Sequence, residues 1–409
     1  MEQKIYTRRY YIEKIRGFYN SDLIKVITGI RRCGKSCFML SIIEDLKEKG
    51  VAEKDIIYLN LDKRGNRKIK TPDALEAAIE ALITDDDFKY LFIDEVQNVT
   101  GFEEVINGFR EDGNFSIFVT GSNSYLLSGE LVTKLTGRYI EIEMFPLNFR
   151  EYLEMKAFLG KATAINQTQE FNEYIRFGGF PKTLEFDNPD DKDTYISDVI
   201  SQILDKDVVK HKKIRNRAVF DKVMTYVINN FGATTSLTNL AEHFKKQEGI
   251  SIQTETLNNY LKILENAKII YKCPRFDVRS KKSLRGEQKY YLADLGIYFS
   301  RNVDTRINYG PVLENIVYTY LSAKNHKISV GRVGKLECDF ITRANDEYRY
   351  VQVAMTIMSP ETEDREYKPF EIIHDNYPKY LLTLDPIIQK RIGVIHKNII
   401  DFISNDEEL

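Results

Sequence analysis

The sequence predicts an α/β protein with a parallel sheet in its N-terminal third and smaller helical and α/β pieces after it. Three observations lead there. A glycine-rich octapeptide, Gly29-Ile30-Arg31-Arg32-Cys33-Gly34-Lys35-Ser36, lies between an apolar run and a helical pattern. A second apolar run, Tyr90-Leu91-Phe92-Ile93, ends in the paired carboxylates Asp94 and Glu95. Short apolar runs alternate with helical patterns up to about residue 146, the rhythm of strands joined by crossover helices.

The first expected strand is 23–28, and the helix after the octapeptide runs to about Glu48. Strand, glycine loop and helix form the context in which G-x-x-x-x-G-K-[ST] is a phosphate-binding P-loop. Gly29 and Gly34 let the backbone curl so that its N–H groups face a polyphosphate, and the helix N-terminus adds positive potential. The candidate nucleotide contacts are Gly29, Ile30, Arg31, Arg32, Cys33, Gly34, Lys35, Ser36 and Cys37. Lys35 is expected to reach the β and γ phosphates of ATP, and Ser36 to ligate Mg²⁺. Further strands are expected at 55–61, 90–94, 115–120 and 139–143. Asp94 would complete the metal shell, and Glu95 would polarise the water that attacks the γ phosphorus. After the run 115–120, Ser122 and Asn123 are candidates for sensing the γ phosphate; a strand-ending turn reads the same way. Arg138 is a candidate γ-phosphate contact, in cis or across the interface of a homo-oligomer; a surface arginine fits the sequence equally.

Length and composition agree. A chain of 409 residues has core enough for two to four domains, and 43% hydrophobic with 29% charged residues marks it as globular. A net charge of −2 gives no overall pull toward nucleic acid or membrane, so any basic surface is local. No apolar run approaches the ~18 residues of a membrane span. Cys33, Cys37, Cys273 and Cys338 show no zinc or redox spacing, which fits reduced thiols and a cytoplasmic location.

The expected division is an ATPase core at 1–146, a helical lid or linker at 147–215, a third domain at 216–300 and a last α/β domain at 301–409. Phe177-Gly178-Gly179-Phe180-Pro181 interrupts two helices of the second piece and reads as a tight turn. In the third, helices at 217–230, 237–246 and 255–266 precede two strands, 268–276 and 289–292, the order of a winged helix. The hairpin carries Lys268, Lys272, Arg275, Arg279, Lys281, Lys282, Arg285 and Lys289 against Asp277 and Glu287. Arg279, Lys281, Lys282 and Arg285 are the candidate contacts to double-stranded DNA; a protein partner or a merely solvated hairpin is the alternative. The last piece offers a helix with Glu314, strands at 327–331, 337–342 and 348–354, a helix at 361–374 and a strand at 380–384. That order is similar to a restriction-endonuclease-like core, with Glu314 and Asp339 as metal carboxylates. Its third strand should supply (D/E)-x-K but reads Gln352-Val353-Ala354, so a vestigial nuclease site at Glu314, Asp339 and Gln352 is expected rather than a cutting one.

Together these motifs resemble a prokaryotic family of AAA-type ATPases with a C-terminal restriction-endonuclease-like domain of unknown function. The octapeptide, Ile93-Asp94-Glu95, Thr120-Gly121-Ser122, Thr136-Gly137-Arg138, Phe177-Gly178-Gly179-Phe180-Pro181 and Tyr350-Val351-Gln352-Val353-Ala354 carry the resemblance. It implies a Mg²⁺-dependent ATPase core coupled to a winged helix and a nuclease-like tail. An ATP-gated nuclease and an ATP-driven assembly switch without DNA are the alternatives. A small-molecule kinase fits least, because Glu95 beside Asp94 suits water activation.

Overall fold

A computed structural model describes residues 5–121, 137–205, 214, 216–302, 306–344 and 347–409. The chain divides into two compact units, one of Met1–Met144 with Gln202–His211, the other of Phe145–Ser201 with Lys212–Leu409.

Among its described residues the first unit holds five strands, β1 (Ile24–Gly29), β2 (Ile56–Asn60), β3 (Lys89–Asp94), β4 (Phe115–Thr120) and β5 (Tyr139–Met144). They form one parallel sheet in the order β2-β3-β4-β1-β5. The three inner strands are buried at every position, which explains their unbroken apolar sequences; β2, at an edge, alternates. Among the described residues four helices accompany the sheet: α1 (Arg9–Arg16), α2 (Lys35–Glu48), α3 (Pro72–Glu80) and α4 (Phe102–Glu111). On α4 the residues Phe102, Val105, Ile106 and Phe109 fall on one face and are all buried. With Leu75 and Ile79 of α3 they join Ile57, Leu59, Leu91, Ile93, Ile117 and Val119 in one core. Strand β4 lies between β1 and β3, so the loop after β1 and the carboxylates after β3 flank its C-terminal end. Open α/β sheets bind ligands at that edge.

The second unit begins with α5 (Phe149–Phe158), α6 (Gln167–Phe177), a 3₁₀ turn at Pro181–Glu185 and α7 (Pro189–Gln202). It continues with α8 (Arg217–Asn229), α9 (Leu237–Gln247), α10 (Thr254–Asn266), β6 (Ile270–Asp277), β7 (Lys282–Leu292), α11 (Gly296–Phe299) and α12 (Tyr309–Ala323). Last come β8 (Lys327–Val333), β9 (Leu336–Ala344), β10 (Glu347–Val353), α13 (Pro360–Ile372), β11 (Lys379–Thr383), β12 (Ile395–Asn398) and α14 (Ile399–Ser404). One seven-stranded sheet runs β12-β11-β10-β9-β8-β6-β7.

Three expectations need correction. The piece expected as one lid or linker at 147–215 is divided: its helices up to Ser201 group with the second unit, and Gln202–His211 with the first. Phe149 stacks edge-on with Phe171, Arg150 pairs with Asp406 at 3.3 Å, and Gly179 donates to Asp294 at 2.6 Å. The boundary expected near residue 300 is bridged by the sheet, because β6 pairs in parallel with β8 through Arg275↔Val330 and Asp277↔Arg332. The stretch expected as a loop at 277–288 is largely strand: β7 starts at Lys282, and its register with β6 shifts at Pro274/Arg275. A Pro and a Gly in the hairpin obscured the pairing, and the bulge takes up the extra residues.

Candidate nucleotide site

At the end of β1 the chain turns at Gly29, with φ of 137°. A Cβ there would lie 2.2 Å from the Met144 carbonyl oxygen and 2.9 Å from Cys33 Sγ, so only glycine lets the loop pass under β5. Arg32 (φ 69°) and Gly34 (φ 104°) are also left-handed. Gly34 is the N-cap of α2 and has no side chain to occupy the first-turn N–H groups, which leaves them for an anion. The Lys35 ammonium is buried and donates to the carbonyls of Gly29 at 2.9 Å and Ile30 at 3.3 Å, which fixes it inside the loop's curl. Buried Arg8, just ahead of α1, donates to the Cys33 carbonyl at 3.5 Å. Burial pushes the Cys33 thiol up, with Lys35 and Arg8 opposing, so it is not a thiolate. Cys37 is exposed, and Arg32 reaches Gln202 at 3.3 Å.

Asp94 ends β3, fully buried, and its carboxylate is held at both oxygens. Oδ1 accepts from Ser36 Oγ at 3.1 Å and from the Thr120 hydroxyl; Oδ2 accepts from Asn60 Nδ2 at 2.7 Å and Tyr58 OH at 3.3 Å. Asn60 is the register partner of Asp94 on β2, which is why it arrives there. The Ser36–Asp94 separation is close to the ~3 Å edge between neighbouring ligands of an octahedral Mg²⁺ with bonds of about 2.1 Å. Two fixed hard oxygens beside a buried ammonium fit a Mg²⁺–polyphosphate.

Glu95 follows in the left-handed region, φ 58° and ψ 46°, uncommon for a residue with a Cβ. Its N–H donates to Thr120 Oγ1 at 3.1 Å, and its Oε2 accepts from Gln97 Nε2 at 2.5 Å. Thr120 therefore clamps the Asp94 carboxylate and the next residue's backbone with one hydroxyl. Asn60, Tyr58, Thr120 and Gln97 were all missed as site residues in the sequence; Asn60 and Thr120 end strands β2 and β4, Tyr58 lies two residues before Asn60, and Gln97 is on the turn after β3. Ser122 and Asn123 lie outside the described residues. Arg138 is at the opposite edge: its carbonyl accepts from the N–H of Ile24, the first residue of β1, and its side chain pairs with Glu111 at 3.5 Å. Within one chain it does not approach the loop.

The family description "AAA domain" matches residues 21–153. An uncharacterized protein of Haemophilus influenzae is 32% identical over 94% of both chains. The chain belongs to one family with this relative, and its residues 21–153 carry an AAA domain. A second relative, from Methanocaldococcus jannaschii, is 30% identical over 85% of this chain and 78% of its own. Residues 168–305 match a domain of unknown function (DUF8612). The Walker-type ATPase PABY2304 of Pyrococcus abyssi is similar at 15% identity and a TM-score of 0.49, covering 72% of this chain and 95% of that one.

In the second unit of this AAA-type protein, Glu314, Asp339 and Gln352 do come together. They line an open pocket of about 520 Å³ with Glu337, Arg365 and Glu366. Lys289 of β7 is buried there, 2.9 Å from both Glu314 and Glu337. Burial alone would pull its ammonium down, but Glu314, Asp339 and Glu337 hold it above its usual range. Burial, reinforced by Glu314 and opposed by Lys289, raises the Asp339 carboxyl well above the carboxylate range. Gln352 accepts from the Asp339 N–H at 3.2 Å and donates to Glu366 at 2.8 Å, so it ties two acids together. Lys289 and Glu366 were not anticipated at this pocket. Among the described residues, the acids close enough to share one cation are Asp55, Asp85 and Asp87, and Lys54 and Lys89 pair with them.

The basic hairpin is less free than its composition suggests. Arg275 pairs with Glu287 at 2.5 Å and Glu337 at 3.0 Å, and Lys289 is engaged as above. Lys272, Arg279, Lys281 and Lys282 remain exposed, and the Arg285 side chain lies outside the described residues.

Proposed function

We propose that the chain is a Mg²⁺-dependent ATPase whose nucleotide state governs a DNA-binding winged helix. The observation that carries the first part is the Asp94 carboxylate, held by Ser36, Thr120, Asn60 and Tyr58 beside Lys35. Lys35 and the loop N–H groups bind the phosphates, and Ser36 and Asp94 hold Mg²⁺. Bound there, Mg²⁺ supplies neutralisation of the phosphate charge. Glu95 orients the attacking water and accepts its proton, while Thr120 fixes Glu95 relative to Asp94. The protein's share is positioning and charge stabilisation.

The winged-helix reading is supported by order and pairing: α8, a bridge from Thr235 to Gln288, then α9, α10 and the hairpin β6–β7. Buried Leu257, Leu261 and Leu264 hold α10 against its neighbours, which leaves Gln253, Thr254 and Asn259 exposed for a groove. Four exposed bases on phosphates give a slope of log affinity against log salt of roughly −3.6. Duplex binding by the Glu95→Gln chain with Mg-ATP, titrated against salt, measures it. Alanine at Arg279, Lys281 and Lys282 together flattens the slope by roughly 2.7. No duplex binding at low salt removes the DNA role and leaves an ATP-driven assembly switch with a protein partner.

The pocket around Asp339 favours a second reading, ATP-gated phosphodiester hydrolysis. Its acids are already engaged by Lys289, Gln352 and Arg365, so we expect no nicking of supercoiled plasmid with Mg²⁺ or Mn²⁺. Nicking that disappears in Asp339→Asn would establish the nuclease instead.

A further inference from the structure

Gln97 sits on the 3₁₀ turn Val96–Asn98, immediately after Glu95. Its Nε2 donates to Glu95 Oε2 at 2.5 Å, the short distance of a charge-assisted contact. Its own Oε1 is buried and has no hydrogen-bond partner among the described residues, which is unusual for an amide oxygen. The backbone at Glu95 is left-handed, and that conformation is what folds the next turn back so that residues two apart meet. Gln97 therefore uses its donor on the carboxylate and keeps an unused acceptor beside it.

Resting on the ATPase reading above, we propose that Gln97 is a positioning residue for the attacking water. A water nucleophile carries two O–H bonds, and its lone pair is aimed only when both hydrogens are held. Glu95 Oε1 takes one hydrogen and Gln97 Oε1 the other, while the Gln97 amide keeps Glu95 from rotating. The reaction balances on these groups: the water oxygen bonds to the γ phosphorus, the bond from that phosphorus to the β–γ bridging oxygen breaks, ADP leaves, and the released proton goes to Glu95. The sequence places Gln97 in the run Ile93-Asp94-Glu95-Val96-Gln97, where only the turn geometry reveals its task.

The test uses the full chain with Mg-ATP and three variants, Glu95→Gln, Gln97→Met and Gln97→Glu. Methionine keeps the length of the side chain and removes both polar atoms. Gln97→Met is expected to lower kcat on the order of 100-fold with KM and nucleotide affinity unchanged. Gln97→Glu keeps the acceptor oxygens but sets a second carboxylate against Glu95, so kcat falls while KM and nucleotide affinity stay, a split that loss of packing does not produce. Wild-type turnover in Gln97→Met, or loss of turnover and nucleotide binding together, overturns the assignment. If Glu95→Gln is slow while Gln97→Met is normal, only the role of Gln97 fails. A wild-type chain that does not hydrolyse Mg-ATP overturns the ATPase reading and this inference with it.

Discussion

Replacing Glu95 by Gln leaves nucleotide binding intact and slows hydrolysis by roughly three orders of magnitude, the usual worth of a positioned general base. The substitution is nearly isosteric, and the anchors of the residue survive it. The backbone N–H still reaches Thr120 at 3.1 Å, and the four donors around Asp94 are untouched. Only the capacity to take a proton is lost. Lys35→Ala should behave oppositely. Removing a buried ammonium that the loop holds through the Gly29 and Ile30 carbonyls takes away the charge that meets the phosphates. Binding is expected to weaken on the order of 100-fold, as for loss of a charge-assisted hydrogen bond at a buried site. Fluorescent-nucleotide titration and phosphate release, measured on the same preparations, separate the two effects. Glu95→Gln turning over at the wild-type rate would remove Glu95 from the mechanism.

The parts of this site that could be read in the sequence are those whose chemistry is local. The loop from Gly29 to Ser36 and the pair Asp94-Glu95 announce themselves because motif and supporting strand are contiguous. The five strands of the first sheet fall within about a residue of expectation, and the three inner ones are uninterrupted buried runs. Thr120 and Asn60 were not legible, because their roles come from parallel register across strands distant in sequence. Asn60 stands opposite Asp94 only once β2 pairs with β3. The same cause defeated the boundary near residue 300: β6 meets β8 only by non-local pairing. Charge counting failed for a related reason. Lys289 and Arg275 read as free bases on a hairpin, but Glu314 and Glu337 come from later elements to claim them. Strands β12 and helix α14 were missed because four and six residues are too short to show a period.

Gly178→Ala should destabilise the second unit by about 4 kcal/mol, in the range for breaking a buried polar network. Gly178 ends α6 at φ 72° and ψ −164°, which a side chain resists. The larger obstacle is Asp294. A Cβ on Gly178 would lie 1.7 Å from its Oδ1, and one on Gly179 would lie 2.1 Å from the Leu147 carbonyl oxygen. To make room, the fully buried carboxyl must leave the N–H of Gly179 at 2.6 Å and of Gly296 at 2.8 Å, and nothing replaces them. The motif Phe177-Gly178-Gly179-Phe180-Pro181 is thus a wrapper for one carboxyl. A fall in Tm of roughly 10 °C is expected by calorimetry for a unit of this size. Gly17→Ala, where a Cβ meets nothing within 4 Å, is the control. Burial pushes Asp294 up to about 7 from 3.8, against the two N–H donors. The folded state then holds a proton that the unfolded chain has lost, so this carboxyl's contribution falls as pH climbs from about 4 to 7 and is level above. Asp294→Asn removes that slope. If the clash is with Asp294, Gly178→Ala costs far less in an Asp294→Ala background, where the carboxyl is gone and only the backbone strain remains. Equal costs in both backgrounds would assign the motif's glycines to backbone conformation alone.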